Sequence, residues 1–382
     1  MKKIRLFTPG PTMVPEEVML EMARPMDHHR TGEYKRVTEE VVQLLEYLFQ
    51  TEATCLSIAG SGTAGAEAAI VSCCPPGHKA LVVRNGKFAE RWADVCAAFE
   101  LPHVNYDVEW GFGGKPEAIE RMLAEDPKID TVIAVHSETS TATISDIEAI
   151  AKVTRKRNAL LIVDGITSVG ALPVKMDAWG VDVYITGSQK AVMLPPGLAF
   201  VAVSERAWAR IDSGKAHALY NDLKAYRKAL KEFDVPYTPA ITLMRGARFM
   251  LRQIKEIGLE NIWAETALLA RATRAAATAM GLKVYSSQPS DSVTAILVPP
   301  SIDEGALRKS MRATHGMQLA GGQGSLKGKI IRISHMGYVD KFDTLSVIAA
   351  LELTLKSMGH PVELGSGLAA AQRVFDEAGG KR

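Results

Sequence analysis

LLIVDGITSVGALPVKMDAWGVDVYITGSQK, Leu160 to Lys190, is the stretch from which the rest of this 382-residue chain is best read. An apolar run from Leu160 to Val163 ends on Asp164. A second, Val181 to Ile185, leads through Thr186, Gly187, Ser188 and Gln189 to Lys190. Continuous apolar runs of this length, bounded by glycine and polar residues, read as buried central strands of a mostly parallel sheet. Ligands of such sheets bind beyond the carboxyl ends of the strands, and Asp164 and Lys190 both fall there. An acid and an amine are thus expected at one sheet edge.

That pair suits one cofactor especially well. Pyridoxal phosphate needs a lysine to hold its aldehyde as a Schiff base and a carboxylate on its pyridine nitrogen. The carboxylate keeps the nitrogen protonated, so the ring can accept the electrons left when a bond at a substrate Cα breaks. Taken alone, Asp164 reads equally well as a helix cap and Lys190 as a solvated surface amine. The flanking pattern favours a sheet: Ala80 to Val83, Val104 to Val108, Thr131 to Val135 and Leu198 to Val203 read as strands. Between them Phe88 to Phe99, Pro116 to Leu123 and Asp146 to Val153 carry helical spacing. Such alternation implies βαβ units and an α/β fold.

Upstream, AGSGTAGAEAAIVSC (Ala59 to Cys73) places Gly60, Ser61, Gly62 and Thr63 before a helix expected to open at Ala64. Small residues let the backbone approach a ligand, and helix N-terminal amides face an anion, so this is a candidate phosphate cradle. No Walker lysine follows, which disfavours a nucleotide P-loop. Downstream, helical spacing recurs from Ile241 to Ile257 and from Leu259 to Met280. Leu282 to Tyr285, Val293 to Val298, Asp303 to Thr314, Ile330 to Ile333 and Lys341 to Met358 then outline a smaller α+β unit.

The run Ser188, Gln189, Lys190, Ala191 with the Pro195, Pro196, Gly197 turn resembles the cofactor-lysine motif of class V aminotransferases. Within that class the chain is most similar to alanine/serine:glyoxylate (or pyruvate) aminotransferases, up to about Gly359. The resemblance implies the type I fold of pyridoxal-phosphate transferases. It divides the chain into an N-terminal arm (1–15), a large cofactor-binding domain (16–258), a small α+β domain (259–359) and a tail of no assigned role (360–382). Lys190 and Asp164 are then the catalytic pair. Ser61, Gly62, Thr63 and Gln189 would hold the phosphate, Phe88 would stack on the pyridine, Thr139 would lie near the phenolic oxygen, and Ile166 would join the cofactor site. Thr238 would reach the phosphate of a partner subunit in a homodimer, whereas the tyrosine expected just before it aligns with Val235. Arg332 would clamp the substrate α-carboxylate, beside Gly10 of the arm, and a rigid guanidinium fork suits that task better than a lysine. Ala142 stands where a glycine is common.

The implied reaction moves an amino group from alanine or serine to glyoxylate or pyruvate in two half-reactions. Rivals are a transaminase of a phosphorylated or phosphonate donor, with His29 and Arg30 of the Asp27–Arg30 connection on the distal anion; a sulfur-handling lyase; and a fold-retaining accessory subunit. The lyase would need a cysteine late in the chain, and none occurs after Cys96. Composition adds bounds. With 45 basic and 43 acidic residues the net charge is +2, so a nucleic-acid partner is not expected, and the Arg155–Arg157 cluster reads as a solvated helix end. Cys55, Cys73, Cys74 and Cys96 lack metal-ligand spacing and read as reduced thiols of a cytoplasmic protein, with no metal site. No apolar run is long enough for a membrane span or a signal peptide.

Overall fold

The computed structural model describes residues 3–215 and 218–379. Seven strands form its main sheet: β1 (Thr54–Ala59), β2 (Lys79–Arg84), β3 (His103–Asp107), β4 (Ile129–Val135), β5 (Leu160–Asp164), β6 (Val183–Gly187) and β7 (Leu198–Val203). Their spatial order is β1-β7-β6-β5-β4-β2-β3, with every pairing parallel except the two made by β7. The reversal at β7 follows from its connection: the turn around Pro195–Gly197 is too short for a crossover, so the chain returns beside β6 as a hairpin.

All five residues of β5, and all of β6 and β7, are buried. Each Leu, Ile or Val so covered contributes about 1.5–3 kcal/mol, which is why these runs need no alternation. Leu161 and Val163 face one core with Leu44, Leu48 and Phe200, while Leu160 and Ile162 face the other with Trp92, Ile133 and Trp208. The strand β6 begins at Val183, two residues later than its apolar run, because Val181 still belongs to the turn in which its N–H bonds back to Met176.

Two helices bring the upstream motifs to the carboxyl edge. The first, α1 (Gly62–Cys73), starts two residues earlier than its sequence suggests, with Ser61 at the N-cap, so Gly62 and Thr63 are themselves the first turn. Its face is built of small residues: a Cβ on Gly65 would sit 2.9 Å from Ala199 Cβ and 3.1 Å from Val201 Cγ2, so the helix rides directly on β7. The second, α2 (Lys87–Ala98), buries Trp92, Ala93 and Cys96 against the same face. At the tip of the Ser137–Ile144 hairpin Ala142 is buried and adopts φ +56°, a left-handed conformation that costs a non-glycine residue about 1–2 kcal/mol.

Downstream, α3 (Leu259–Ala279) leads into a second sheet of β8 (Lys283–Val284), β9 (Val293–Leu297), β10 (Ala320–Gly321) and β11 (Ile330–Ser334), ordered β8-β9-β11-β10 and antiparallel throughout. The N-terminal arm is tied to this unit: Arg5 and Leu6 pair in parallel with Met317 and Gln318, and Phe7 is buried in its core. After α4 (Lys341–Ser357), the residues beyond Gly359 turn back as α5 (Ser366–Gly379), which packs along α3 and α4. Glu352 of α4 is buried and accepts N–H bonds from Gly365, Gly367 and Leu368. The segment Ser366–Gly379 is therefore a docked helix that adds Ala371, Val374 and Phe375 to the core of the small unit.

Candidate active site

At the carboxyl ends of β1, β4, β5 and β6 the chain leaves a cavity partly open to solvent. Ser61, Gly62, Thr63, Phe88, Thr139, Asp164, Ile166, Gln189 and Lys190 line it, so nine residues named from the sequence share one space. Arg91, Trp92, Val135, Ser137 and Thr167 complete the wall.

Lys190 follows β6 and is held from two directions. Its Nζ donates to the Pro9 carbonyl at 2.7 Å, while Thr12 stitches the arm to the same loop through Thr12 N to Gln189 O (3.1 Å) and Thr12 Oγ1 to Lys190 O (2.9 Å). Gly10 lets the arm come this close: its φ is +143°, and a Cβ there would fall 2.1 Å from Lys190 Nζ. Burial disfavours the ammonium and lowers the Lys190 pKa from 10.5 to about 8, against the opposing pull of Asp164 and with help from Arg332 and Arg91. The amine is thus much closer to its neutral form near neutrality than an exposed lysine.

Asp164 ends β5, only 5% exposed. Its Oδ1 accepts from Ile166 N at 2.8 Å and its Oδ2 from the Trp92 indole N–H at 3.1 Å. Desolvation raises its pKa from 3.8 to about 7, outweighing those two hydrogen bonds and the charge of Lys190. A carboxyl group in this state gains from any cation that enters the cavity.

The wall carrying Phe88 is set by a buried carboxyl group. Glu138, fully buried, accepts from Ala89 N at 2.9 Å, from Ser140 N at 2.9 Å and from Ser140 Oγ at 2.6 Å. Burial raises its pKa, and these donors offset part of that rise. The bond to Ala89 fixes the first turn of α2, and with it the directions in which Phe88, Arg91 and Trp92 leave the helix.

Thr139 Oγ1 lies 2.9 Å from Thr167 Oγ1, and Thr167 donates its own proton to Ser137 O at 2.8 Å. Thr139 is therefore the donor of the pair. Arg332, on β11 and buried, donates from Nε to Gly321 O at 2.9 Å and from Nη1 to Thr139 O at 2.9 Å. Burial lowers its pKa to about 10, so it stays charged at neutral pH. Two carbonyls hold it and no carboxylate bonds to it, though the charges of Glu138 and Glu304 act on it; it stands behind Thr139, outside the cavity lining, and its own charge lowers the Lys190 pKa.

Thr238 is not part of this cavity. It is exposed and lies in a separate cleft with Tyr220, Tyr226, Val235 and Tyr237, where Tyr220 and Tyr237 stack at 4.9 Å. His29 and Arg30 are also outside the cavity, and Arg30 is engaged with Asp234 at 2.5 Å. All four cysteines are buried away from the cavity wall, with thiol pKa values pushed up by burial. Among the described residues no cluster of metal-ligating side chains occurs, and no helix is long and apolar enough to cross a membrane.

Sequence reasoning missed Trp92 and Arg91. The signal was present, since both lie one turn beyond Phe88 on the same helix. Ser137 follows the strand ending at Val135, so its place at the carboxyl edge was legible, but Thr167 carried no signal, because only the fold brings these two together.

The family model for aminotransferase class-V matches residues 4–342. The soluble hydrogenase 42 kDa subunit of Anabaena cylindrica is 41% identical, covering 98% of this chain and 99% of that protein. The serine–glyoxylate aminotransferase of Methylorubrum extorquens is 38% identical, over 97% of this chain and 96% of its own. Both alignments extend beyond Gly359 into the tail that the motif-based resemblance left out. Among solved structures, ureidoglycine-glyoxylate aminotransferase from Bacillus subtilis superposes with a TM-score of 0.93 at 30% identity, covering 98% of this chain and 99% of that one.

Proposed function

This chain belongs to the class-V aminotransferase family, a pyridoxal-phosphate transaminase acting on amino acids and keto acids, and from that premise we propose that it moves the amino group of alanine or serine to glyoxylate or pyruvate. One observation carries the reading: Lys190, Asp164 and Phe88 line one cavity, an amine and an acid with an aromatic face beside them. The residues fit the cofactor. Asp164 is a desolvated acid awaiting a cation, and the buried Gln189 side-chain oxygen has no partner. When bound, pyridoxal phosphate supplies an electron sink for the pair released at the substrate Cα.

The chain's own groups do the rest. Lys190 would hold the cofactor covalently and, as a free amine, would serve as the base for the substrate Cα proton; a pKa near 8 suits that role. Asp164, oriented by Trp92 and Ile166, would face the pyridine nitrogen and keep it protonated. Ser61, Gly62, Thr63 and Gln189 would hold the phosphate, Phe88 and Ile166 would flank the ring, and Thr139 would lie near the phenolic oxygen. Arg332 binds the substrate α-carboxylate, with Gly10 giving the arm room beside the amine. Two half-reactions sharing one site give ping-pong kinetics.

Two copies pairing so that each Thr238 enters the other's cradle would account for a threonine that is exposed and outside its own cavity. Reduced, buried thiols favour the cytoplasm. The phosphorylated-donor alternative loses its proposed cation, since Arg30 is paired with Asp234. An accessory-subunit role, suggested by the name of the Anabaena relative, is disfavoured by a cavity with its catalytic pair intact.

The test is a panel of donors (alanine, serine, phosphoserine) mixed with the cofactor-loaded protein, following the loss of its visible absorbance, with Lys190→Ala beside it. Alanine or serine should convert the wild type, and the variant should show neither the absorbance nor turnover. Conversion by phosphoserine alone, or full turnover without Lys190, would overturn the proposal.

A further inference from the structure

The cradle at the start of α1 is uncharged. Ser61, Gly62, Thr63 and Gln189 offer hydroxyls, amides and a carboxamide, whereas a phosphate monoester carries about −1.5 to −2 charge near neutral pH. Hydrogen-bond donors alone leave that charge unbalanced. The structure brings one cation to the same place. Arg91, a turn beyond Phe88 on α2, donates from Nη1 to Thr63 Oγ1 at 3.1 Å, and its guanidinium carbon sits 5.1 Å from the Phe88 ring centroid.

Arg91 has no other evident work. Its neighbour Glu90 is engaged by Lys87 at 2.9 Å, and among the described residues no ion pair involves Arg91. Its guanidinium carries five N–H donors in a planar fork, so a bond to Thr63 leaves others free for an oxyanion beside it. The Phe88 face restricts where the fork can point. In the same cavity wall the buried Gln189 side-chain oxygen lacks any partner, a second sign that this corner is built for a polar group the chain does not supply. A carboxamide so placed can turn its N–H2 end toward an anion.

We propose that Arg91 is the charged member of the phosphate cradle, a cofactor-binding residue supplied by α2 beside Thr63 at the start of α1. The inference rests on the cofactor reading above. It divides the labour within one helix: Phe88 faces the ring, Trp92 orients the acid at the ring nitrogen, and Arg91 neutralises the phosphate. Because Glu138 fixes the first turn of α2, it sets all three at once.

The test separates phosphate from ring. Cofactor-free protein is titrated with pyridoxal 5′-phosphate and, separately, with pyridoxal, following tryptophan fluorescence, for the wild type, Arg91→Gln and Arg91→Lys. Arg91→Gln should weaken the phosphorylated ligand about threefold to tenfold and leave pyridoxal within about twofold, since what is lost toward the ligand is a charge-assisted bond at an exposed site. Arg91→Lys should recover part of the loss. Equal weakening of both ligands would mean that Arg91 only supports the fold, and an unchanged affinity for the phosphorylated ligand would mean that it makes no contact; either result overturns the proposal while the cofactor reading stands. A wild type that binds neither ligand would instead sink the cofactor reading itself.

Discussion

Trp92→Phe tests the link between the Asp164 carboxyl group and its wall. The indole N–H donates to Asp164 Oδ2 at 3.1 Å in a fully buried setting, and phenylalanine keeps most of the apolar contact while removing that donor. In the cofactor-free chain Asp164 titrates near 7 instead of its ordinary 3.8, chiefly through burial. The folded state therefore binds a proton at Asp164 that the unfolded state has released over this interval, and the contribution of this one group to stability falls as pH rises from about 4 to about 7, by roughly 4 kcal/mol for a shift of about three units, while the buried His136 and His335, whose pKa values burial lowers to about 3, contribute in the opposite direction equally in wild type and variant. A hydrogen bond to the ionised carboxylate is worth about 1.5–3 kcal/mol and one to the neutral acid about 0.5–1.5, so losing it costs about 1 kcal/mol more at high pH. That difference moves the carboxyl group about 0.7 of a unit further upward.

The assay is urea unfolding of cofactor-free wild type and variant, followed by far-ultraviolet circular dichroism at about pH 5 and about pH 8.5. The loss of ring volume is a constant offset at both pH values. Lys190 titrates in both proteins and cancels from their difference. The stability gap between wild type and variant should widen by about 1 kcal/mol from low to high pH. A gap that stays constant, or narrows, would refute the idea that the indole acts on the charged form of Asp164.

Two further substitutions probe the substrate side. Arg332→Lys keeps a cation but loses the fork now held on the Thr139 and Gly321 carbonyls, so KM for the amino donor should rise about tenfold to a hundredfold, about 1.5–3 kcal/mol, with cofactor affinity unchanged; an unchanged KM in steady-state kinetics would dismiss the clamp. Gly10→Ala puts a Cβ 2.1 Å from Lys190 Nζ at a φ of +143°, so the amine must move off the Pro9 carbonyl. The fraction of protein whose cofactor is fixed by borohydride should then fall several-fold, with about 1–3 kcal/mol of stability lost to the strained backbone; full fixation would show that the arm does not set the lysine.

How much was legible in the residues follows from what each feature depends on. Leu160 to Lys190 announced two buried strands and their polar ends because apolar periodicity is a local property, and parallel strands in one sheet must end at one edge. Ser61, Gly62 and Thr63 were legible because a close backbone approach requires small residues in sequence. Those constraints determined the α/β class and the meeting of Asp164 with Lys190. What the tertiary structure alone decided are contacts between segments distant in sequence. The Pro9 carbonyl on Lys190, the Trp92 indole on Asp164 and the Arg332 fork on Thr139 join residues 181, 72 and 193 positions apart. The tail has a mildly helical composition but its role was not legible, because what the helix docks against, the surfaces of α3 and α4 and the Glu352 carboxylate, lies far away in sequence. Trp92 and Arg91 show the boundary between the two: their helix could be read from the sequence, but the partners of an indole and a guanidinium are fixed only when the opposite wall is folded against them.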